Sequence, residues 1–425
     1  MRWEYIALTL QRSLNSHRLS TFGNTLLKKA QSILGTKGTL FFLVIISAFP
    51  PLTIDLYLPA LPQMVDIFNT DQAMVNLTLS SYFITYAMGL LFWGPLSEKF
   101  GRKPILITGL AGYMIASIFC SMAGSIEQLI LARVIQAFAG SAITVVATAI
   151  VKDLYDGRER QKIMATIMSL VIIAPMIAPV LGAFLLQIAS WRMMFVTLAV
   201  FGSFASILAF CYEETLETKY NGSILHSWTR LGVVLKNPQF VTLLVIFSIV
   251  PIAMMAFLAA GSYIYINGFG LTEQQFSYAF AFNALCASFG PTIYMKLSRR
   301  VSVQTIITLC FALLATAGVL TITLAEMSPW IFALTAAVAT LMVITMRVPG
   351  TNLMLDQQDK DTGSAVALIQ FSGMACGSLG MVLVSIRPES LITNLGILQL
   401  VVGLIGGGLW LLVRNRSFVT DKLVK

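Results

Sequence analysis

Long runs of apolar residues, separated by short polar segments, repeat along the whole chain. Twelve such runs can be distinguished. Each is long enough to cross the hydrocarbon layer of a membrane as a helix, for which about 20 apolar residues suffice. They centre on residues 40–60, 75–95, 104–122, 128–150, 162–187, 192–211, 239–265, 275–295, 303–323, 329–349, 363–386 and 394–413. The pattern predicts an all-α membrane protein with twelve transmembrane helices.

Composition and charge agree with this prediction. Hydrophobic residues make up 57% of the chain and charged residues 11%, whereas a soluble domain is about 25% charged. The net charge of +9 does not indicate a nucleic-acid binder, because the basic residues gather in alternate loops and at both ends of the chain. The loops between them, near residues 62–72, 123–128, 267–274 and 324–328, carry only acids. Since basic loops stay cytoplasmic, both termini are predicted to be cytoplasmic.

One acidic residue lies within an apolar run. Asp55 belongs to the first span, and we assign the other acids among the 19 of the chain to loops, tails or span ends. An ionisable group at membrane depth costs roughly 2.5–3.5 kcal/mol on insertion scales, so it is a functional-site hypothesis by default. A lone carboxyl in a protein with many spans suggests a proton carrier.

The chain contains an internal repeat. A Ser-Tyr pair and a Gly-Pro pair occur at residues 81–82 and 94–95, and again at 277–278 and 290–291, with the same spacing. The offset of 196 residues corresponds to six spans. We therefore predict two pseudo-symmetric six-helix bundles, the repeat organisation of major facilitator transporters. The predicted segments are a cytoplasmic extension at 1–38, bundles at 39–212 and 238–414, a cytoplasmic linker at 213–237 and a tail at 415–425.

The loop after the second span carries the most specific motif. The stretch GPLSEKFGRKP begins at Gly94, and Glu98, Arg102 and Lys103 are predicted to form a charge cluster that closes the cytoplasmic side. Gly101 permits the tight turn before the third span. The stretch resembles the loop signature of the major facilitator superfamily, G-x-L-[AS]-[DE]-x-x-G-R-[RK], and matches it at every position.

Three further stretches narrow the resemblance. They are DLYLPALPQM at 55–64, LARVIQAFAGSA at 131–142 and APMIAPVLGA at 174–183. Together they resemble the twelve-span drug:proton antiporters of the Bcr/CflA group. The resemblance implies a proton-coupled exporter of small amphipathic compounds, working as a monomer in the bacterial inner membrane. It also implies a gating role for Pro175, Pro179 and Gly182 in the fifth span. Some multidrug relatives carry a second acid two turns before the first-span Asp, where this chain has Ser47.

Asp55 and Arg133 are predicted to lie at similar depth. Counted from residue 39, Asp55 lies about 24 Å along the first span, roughly 6 Å from the outer edge, and Arg133 lies about 9 Å from the same edge. A nearby guanidinium favours the charged carboxylate, whereas burial favours the neutral acid. A change in their separation would therefore load and unload a proton. The alternatives are that Asp55 is a residue at the outer interface and that Arg133 only snorkels.

Polar and adaptable residues at helical spacing are interpreted as lining a central cavity, although helix packing explains the same spacing. The candidate substrate-binding residues are Tyr82, Tyr86, Gln136, Met254, Phe257 and Asn283. Arg347, near the cytoplasmic end of the tenth span, either faces this cavity or snorkels to the interface, and snorkelling is the simpler interpretation.

No enzyme chemistry or cofactor is predicted. The five cysteines are scattered without paired spacing, two histidines are too few for a metal cluster, and no HExxH, GxSxG or Walker-type sequence occurs. The alternatives to a drug exporter are a dedicated exporter of one metabolite, such as a siderophore, a facilitator-fold importer, and a polytopic membrane receptor or enzyme. The absence of a catalytic constellation and of any sizeable loop domain argues against the last of these.

Overall fold

The computed structural model describes residues 31–217, 219, 224–358 and 362–423, and this part of the chain is helical without strands. Eleven of its helical segments are long and apolar enough to cross a membrane. The eighth apolar run of the sequence lies within residues 273–297, which form two shorter helices, and with it the segments are numbered spans 1 to 12. Their bounds are Gly35–Ile67, Gln72–Phe100, Arg102–Met122, Ile126–Leu154, Lys162–Ile188, Arg192–Cys211, Pro238–Gly268, 273–297, Val303–Met327, Pro329–Leu355, Thr362–Val384 and Pro388–Val413. The predicted all-helical membrane fold is confirmed.

Span 8 differs from the others because it consists of two consecutive helices, Glu273–Ser288 and Gly290–Leu297. The second helix begins with Gly290 and Pro291, and proline cannot donate the hydrogen bond that would continue the first helix. The Gly-Pro pair of the sequence repeat therefore marks a break in span 8. The corresponding pair in span 2 lies inside one continuous helix, Gln72–Phe100.

Other spans are interrupted in the same way. Span 1 contains the helices Gly35–Ser47, Phe49–Asp55 and Leu61–Ile67, joined by a short 3-10 turn at Leu58–Ala60. Span 5 contains the end of the helix Gly157–Val171 and the whole helix Ala174–Ile188. Span 7 consists of Pro238–Ser248 and Pro251–Tyr263, followed by a π-helical turn at Ile264–Gly268. Prolines near the start of the downstream helices explain the breaks, because they lack the backbone donor.

The spans form two bundles that contact each other along two seams. In the first bundle, spans 2 and 3 both pack on span 4, and span 3 packs on span 6. In the second, span 9 packs on spans 10 and 12, and span 7 packs on span 11. Span 2 contacts span 11 and span 5 contacts span 8 across the bundle interface. We call the end that carries residues 31–34, the linker and residues 414–423 the basic face, and the opposite end the acidic face.

Helices also occur outside the twelve spans in the described part of the chain. Span 1 begins at Gly35 rather than residue 39, and residues 1–30 of the predicted extension lie outside the described residues. The linker contains a helix, Ile224–Leu235, whose Trp228 indole donates to the Leu91 carbonyl of span 2 at 3.3 Å. A short helix, Ser417–Leu423, follows span 12.

Spans 9 and 12 approach so closely that glycines are required between them. A Cβ atom on Gly318 would lie 2.5 Å from the Leu400 nitrogen, and one on Gly403 would lie 2.6 Å from the Ala315 nitrogen. Small residues let helix backbones meet in a membrane, where van der Waals contact drives helix association. Gly408, further along span 12, has no atom within 4 Å of its Cβ position.

We predict that Gly403→Ala destabilises the protein while Gly408→Ala does not. The first substitution places a Cβ atom against the Ala315 backbone of span 9, and overpacking of this kind costs about 1–3 kcal/mol. Thermal unfolding of the purified protein in detergent measures the effect, with Gly408→Ala as the control in the same helix. Equal midpoints for the two variants would contradict the close packing of spans 9 and 12.

Candidate functional site

Asp55 lies at a break in span 1. It is the last residue of the helix Phe49–Asp55 and is 6% exposed. Span 5 packs directly on this break, since a Cβ atom on Gly182 would collide with the Leu56 carbonyl oxygen. Within the described part of the chain, no side chain forms a hydrogen bond or an ion pair with the Asp55 carboxyl. A buried acid therefore stands without a partner at a point where the backbone is already irregular.

Arg133 of span 4 is fully buried and is held by neutral groups. Its Nη1 donates to the Thr53 carbonyl at 3.3 Å and to the Gln136 side-chain oxygen at 2.8 Å. Its guanidinium lies 4.3 Å from the centre of the Tyr82 ring and 5.3 Å from that of Tyr57, distances typical of cation–π contacts. Nε and Nη2 have no hydrogen-bond partner among the described residues. These two nitrogens can therefore donate hydrogen bonds to an anion.

Arg133 contacts the segment of span 1 that carries Asp55, but the two side chains do not form an ion pair. Arg133 binds the carbonyl of Thr53, two residues before Asp55, yet the two side chains form no ion pair in this conformation. Thr53 is held in turn, since its hydroxyl lies 2.5 Å from that of Tyr113. A small movement of span 1 against span 4 would change the distance between carboxyl and guanidinium.

The polar network around Arg133 extends into span 3. Gln136 donates to the Ser117 hydroxyl at 2.8 Å, and Ser117 donates to the Tyr113 carbonyl. Sequence reasoning identified Arg133 and Gln136 but missed Thr53, Tyr113 and Ser117. Their only sequence signal is a polar residue inside an apolar run.

The aromatic face of span 2 packs on span 4. The rings of Tyr82 and Tyr86 are stacked, and the Tyr86 hydroxyl donates to Thr144 at 2.5 Å. Trp93, two further turns along, donates to the Phe138 carbonyl at 2.8 Å. Both tyrosines are at most 3% exposed. In this conformation the face forms the contact between spans 2 and 4 rather than a cavity wall, and substrate contact by Tyr82 or Tyr86 stays a prediction.

The predicted substrate residues of the second bundle lie in different surroundings. Phe257 stacks on Phe280 and contacts Phe332, in an aromatic cluster toward the acidic face. Asn283 is 5% exposed, and its side-chain nitrogen has no partner among the described residues. Met254 packs against the core of the second bundle. Of these three side chains, Asn283 is the one with a free polar group to offer.

The bundles are joined near the acidic face. Four side-chain hydrogen bonds connect spans of the two bundles in the described part of the chain, and each lies in the half toward the acidic face. They join Asn76 to Ser385 at 2.7 Å, Gln63 to Glu273 at 2.7 Å, Tyr263 to the Leu61 carbonyl at 3.3 Å, and Ser277 to the Pro179 carbonyl at 2.8 Å. The last bond ties the kinked part of span 5 to span 8.

Toward the basic face the interface is open. Spans 5 and 11 each expose one side of the helix near the acidic face and the opposite side near the basic face. In span 5 the exposed residues include Leu181 and Phe184 near the acidic face, and Met168 and Ile172 near the basic face. In span 11 they include Val382 near the acidic face and Gln370 near the basic face. One exposed side faces lipid, so the other faces an opening between the bundles. The molecule is closed at the acidic face and open at the basic face.

Basic residues of the loop at 94–104 form a cluster, but with Asp153 and Glu214 rather than with the predicted Glu98. Arg102 donates to Asp153 of span 4 at 2.9 Å and to the Ser97 hydroxyl at 2.8 Å. Glu98 is exposed and forms no hydrogen bond or ion pair with a described residue, so in this conformation it does not take part in the cluster predicted with Arg102 and Lys103, and its gating role stays a prediction. Asp153 is the partner because span 3, which begins at Arg102, packs side by side with span 4.

Glu214, just after span 6, caps the start of span 3. Its carboxylate accepts from the backbone nitrogens of Arg102 and Lys103 at 3.1 and 3.0 Å, and the Lys103 side chain donates to the Phe210 carbonyl. Gly101 has φ 110°, and a Cβ atom there would lie 2.5 Å from the Glu214 carboxylate. The glycine is therefore required both by the turn and by the cap. Gly94, in contrast, has open space around its Cβ position.

A tyrosine completes the cluster. The Thr215 hydroxyl donates to Asp153 at 3.3 Å and lies 2.6 Å from the Tyr212 hydroxyl, which is the donor in that pair because Thr215 has a single proton. Burial raises the pKa of Tyr212, so it stays a neutral donor at physiological pH. Residues of spans 2, 3 and 4 and of the segment just after span 6 are thus tied together at the basic face of the first bundle.

The chain matches a known protein family over most of its length. The model of the Major Facilitator Superfamily matches residues 40–381. An uncharacterized MFS-type transporter of Bacillus subtilis, YdgK, is 30% identical over 86% of this chain and 92% of its own length. A bicyclomycin resistance protein homolog of Haemophilus influenzae is 27% identical over 65% of this chain and 71% of its own. The multidrug resistance protein MdtL of Escherichia coli is 34% identical over 39% of this chain and 42% of its own.

Solved structures share the fold. A bacterial homolog of the human lysosomal transporter Spinster, in an inward-facing and unoccupied conformation, has a TM-score of 0.71 at 15% identity and covers 91% of this chain and 97% of its own. A D-xylose-proton symporter has a TM-score of 0.67 at 12% identity and covers 91% and 99%. These relatives are transporters rather than enzymes, and the resemblance to the Bcr/CflA group is confirmed by the named homologues. The chain is a multi-pass membrane transporter that belongs to the major facilitator superfamily.

Proposed function

We propose that this protein is a proton-driven antiporter that exports small amphipathic compounds across the inner membrane of a bacterium, as a monomer. The basic face would then be cytoplasmic, as the distribution of basic loops suggests. Relatives named for bicyclomycin and multidrug resistance support drug-like substrates. The observation that carries the proposal concerns two buried groups. The carboxyl of Asp55 has no partner among the described residues, and Arg133, which binds the Thr53 carbonyl of the same helix, keeps two nitrogens without a partner among them.

The geometry suggests how a proton and a substrate would alternate. In the conformation open to the basic face, substrate enters from the cytoplasm while Asp55 releases its proton. Closure of that face and rupture of the four hydrogen bonds near the acidic face would then expose the site to the outside, where Asp55 is protonated again. Moving one charge through 100 mV supplies about 2.3 kcal/mol. The breaks in spans 1 and 5 are the points at which the bundles can bend.

The function itself is tested by a toxicity panel. The protein is overexpressed in a drug-sensitive bacterium, and growth is compared across bicyclomycin, other drugs and candidate metabolites, with the Asp55→Asn variant as the negative control. Protection against several unrelated amphipathic compounds supports the proposal. Protection against a single metabolite would indicate a dedicated exporter, and increased sensitivity would indicate uptake.

Asp55→Asn is predicted to abolish proton-coupled transport while the protein still inserts, since the amide cannot carry a proton. The measurement is substrate-induced alkalinisation inside acid-loaded inverted vesicles. Asp66→Asn is the control, because Asp66 lies in the same span but is exposed at the acidic face. Undiminished proton movement in the Asp55 variant would show that another group carries the proton.

Arg133→Ala is predicted to move the pH dependence of substrate binding toward higher pH. A nearby positive charge favours the ionised carboxylate, so without it Asp55 keeps its proton to a higher pH. Arg133→Lys should restore the midpoint only in part, because an ammonium cannot reproduce the forked contacts with Thr53 and Gln136. A binding-versus-pH curve for each variant decides this. Strong binding with an unshifted curve would make Arg133 a structural charge.

Arg102→Ala and Gly101→Leu are predicted to slow transport more than they weaken binding. The loop cluster ties spans 2, 3 and 4 and the segment after span 6 at the basic face, away from the interior site, and acts on the conformational equilibrium. Arg300→Ala is the control, because Arg300 is an exposed arginine in the corresponding loop of the second bundle. Turnover and equilibrium binding are measured on the same preparations. A large loss of affinity at unchanged turnover would instead place the loop in the binding site.

A further inference from the structure

An unpaired positive charge lies in the opening between the bundles. Arg347 belongs to the helix Pro329–Leu355, eight residues before its end, or about 12 Å along the helix axis. Its side chain is exposed, and no carboxylate in the described residues pairs with it. A charge so far inside a span is costly unless it faces water or a partner. The direction in which Arg347 points therefore matters.

The exposure pattern of span 10 indicates that Arg347 lies on a side of the helix that does not face lipid. Trp330 and Leu334, exposed by 78% and 60%, mark the lipid side near the acidic face. At 3.6 residues per turn, Arg347 lies about a third of a turn from them. It continues instead the row of Ala336, Thr340 and Val343, each at most 5% exposed. That row is covered by protein near the acidic face and becomes accessible only at Arg347, where the bundles separate.

Close packing fixes this orientation. Just before Arg347, a Cβ atom on Gly290 of span 8 would lie 2.9 Å from Ile344 and 3.1 Å from the Thr345 nitrogen. Just after it, a Cβ atom on Gly350 would lie 2.7 Å from the Phe247 ring of span 7. Span 10 is therefore clamped on both sides of Arg347 and cannot easily rotate the guanidinium toward the membrane.

The opening into which Arg347 points has a polar group on one bundle and apolar side chains on the other. Gln370 of span 11 is exposed on the side opposite Leu379 and Val382, which face lipid, so it also points into the opening. Across the opening, span 5 of the first bundle exposes Met168 and Ile172 by 53% and 41%. An unpaired guanidinium, a side-chain amide and an apolar wall together suit a ligand with an acidic head and an apolar body.

We propose that the transported substrate is an amphipathic anion, with a carboxylate, sulfonate or acidic phenol held by Arg347 and Gln370 and an apolar body against Met168 and Ile172. This proposal rests on the proposed export function and narrows its substrate class. Arg347 is then the residue that distinguishes acidic from neutral compounds. Its guanidinium is always charged and presents several donors in a plane, which matches acidic groups.

The experiment compares two probes that differ in one acidic group. Anilinonaphthalene sulfonate and neutral N-phenylnaphthylamine share their ring system, and both fluoresce on binding. Binding is measured with purified protein in liposomes, without any proton gradient, after subtraction of protein-free liposomes. The proteins are wild type, Arg347→Gln, Arg347→Lys and Arg299→Gln, which removes an exposed positive charge from a loop at the same face.

Wild type is expected to bind the sulfonate more tightly than the neutral probe. Arg347→Gln should weaken sulfonate binding at least about tenfold and leave the neutral probe unchanged, since a hydrogen bond to a charged group is lost. Arg347→Lys should retain much of the binding, and Arg299→Gln should resemble wild type.

Three results would overturn the proposal: no preference for the sulfonate in wild type, an equal loss for both probes, or an equal effect of Arg347→Gln and Arg299→Gln. Because no gradient is applied, a failure of proton coupling leaves this binding test intact. Conversely, loss of the anion preference leaves the test on Asp55→Asn intact.

Discussion

The interior of the first bundle holds a carboxyl and a guanidinium that do not neutralise each other. Asp55 has no partner in the part of the chain that the structure describes, and the Arg133 guanidinium contacts the Thr53 carbonyl, the Gln136 side-chain oxygen and the face of Tyr82. A buried ionised carboxylate without a partner costs several kcal/mol, so burial favours the neutral acid. Bringing the two groups together would reverse that preference. Spans 4 and 5 both contact the segment of span 1 that carries Asp55, so a movement of either span would change the distance between the two groups.

The same region connects the site to the movement of the bundles. Gly182 of span 5 packs on the span 1 backbone next to Asp55, and Pro179, one turn earlier, accepts a hydrogen bond from Ser277 of the second bundle. Any change that separates the bundles at the acidic face must therefore disturb the surroundings of Asp55. Coupling between protonation and conformation then needs no distant signal, because both depend on the contact between spans 1, 5 and 8.

The sequence predicted the elements well because apolar runs and basic loops act locally. It identified Asp55, Arg133 and Gln136, whose polar side chains interrupt such runs. It failed where helix packing decides: the acids that serve the loop cluster are Asp153 and Glu214, which are remote in sequence from Arg102. Which face of a span meets a cavity also depends on packing, and helical spacing alone could not assign it for Tyr82 and Tyr86.

The central claim is that the Asp55 carboxyl exchanges a proton for substrate. Its most direct test is the release of protons when a substrate found in the toxicity panel is added to purified protein in detergent and weak buffer, recorded with a pH indicator. Wild type should release close to one proton for each substrate bound, and Asp55→Asn should bind without releasing any. The claim is contradicted if the variant releases as many protons as wild type, or if wild type binds substrate without releasing protons at any pH between 6 and 9.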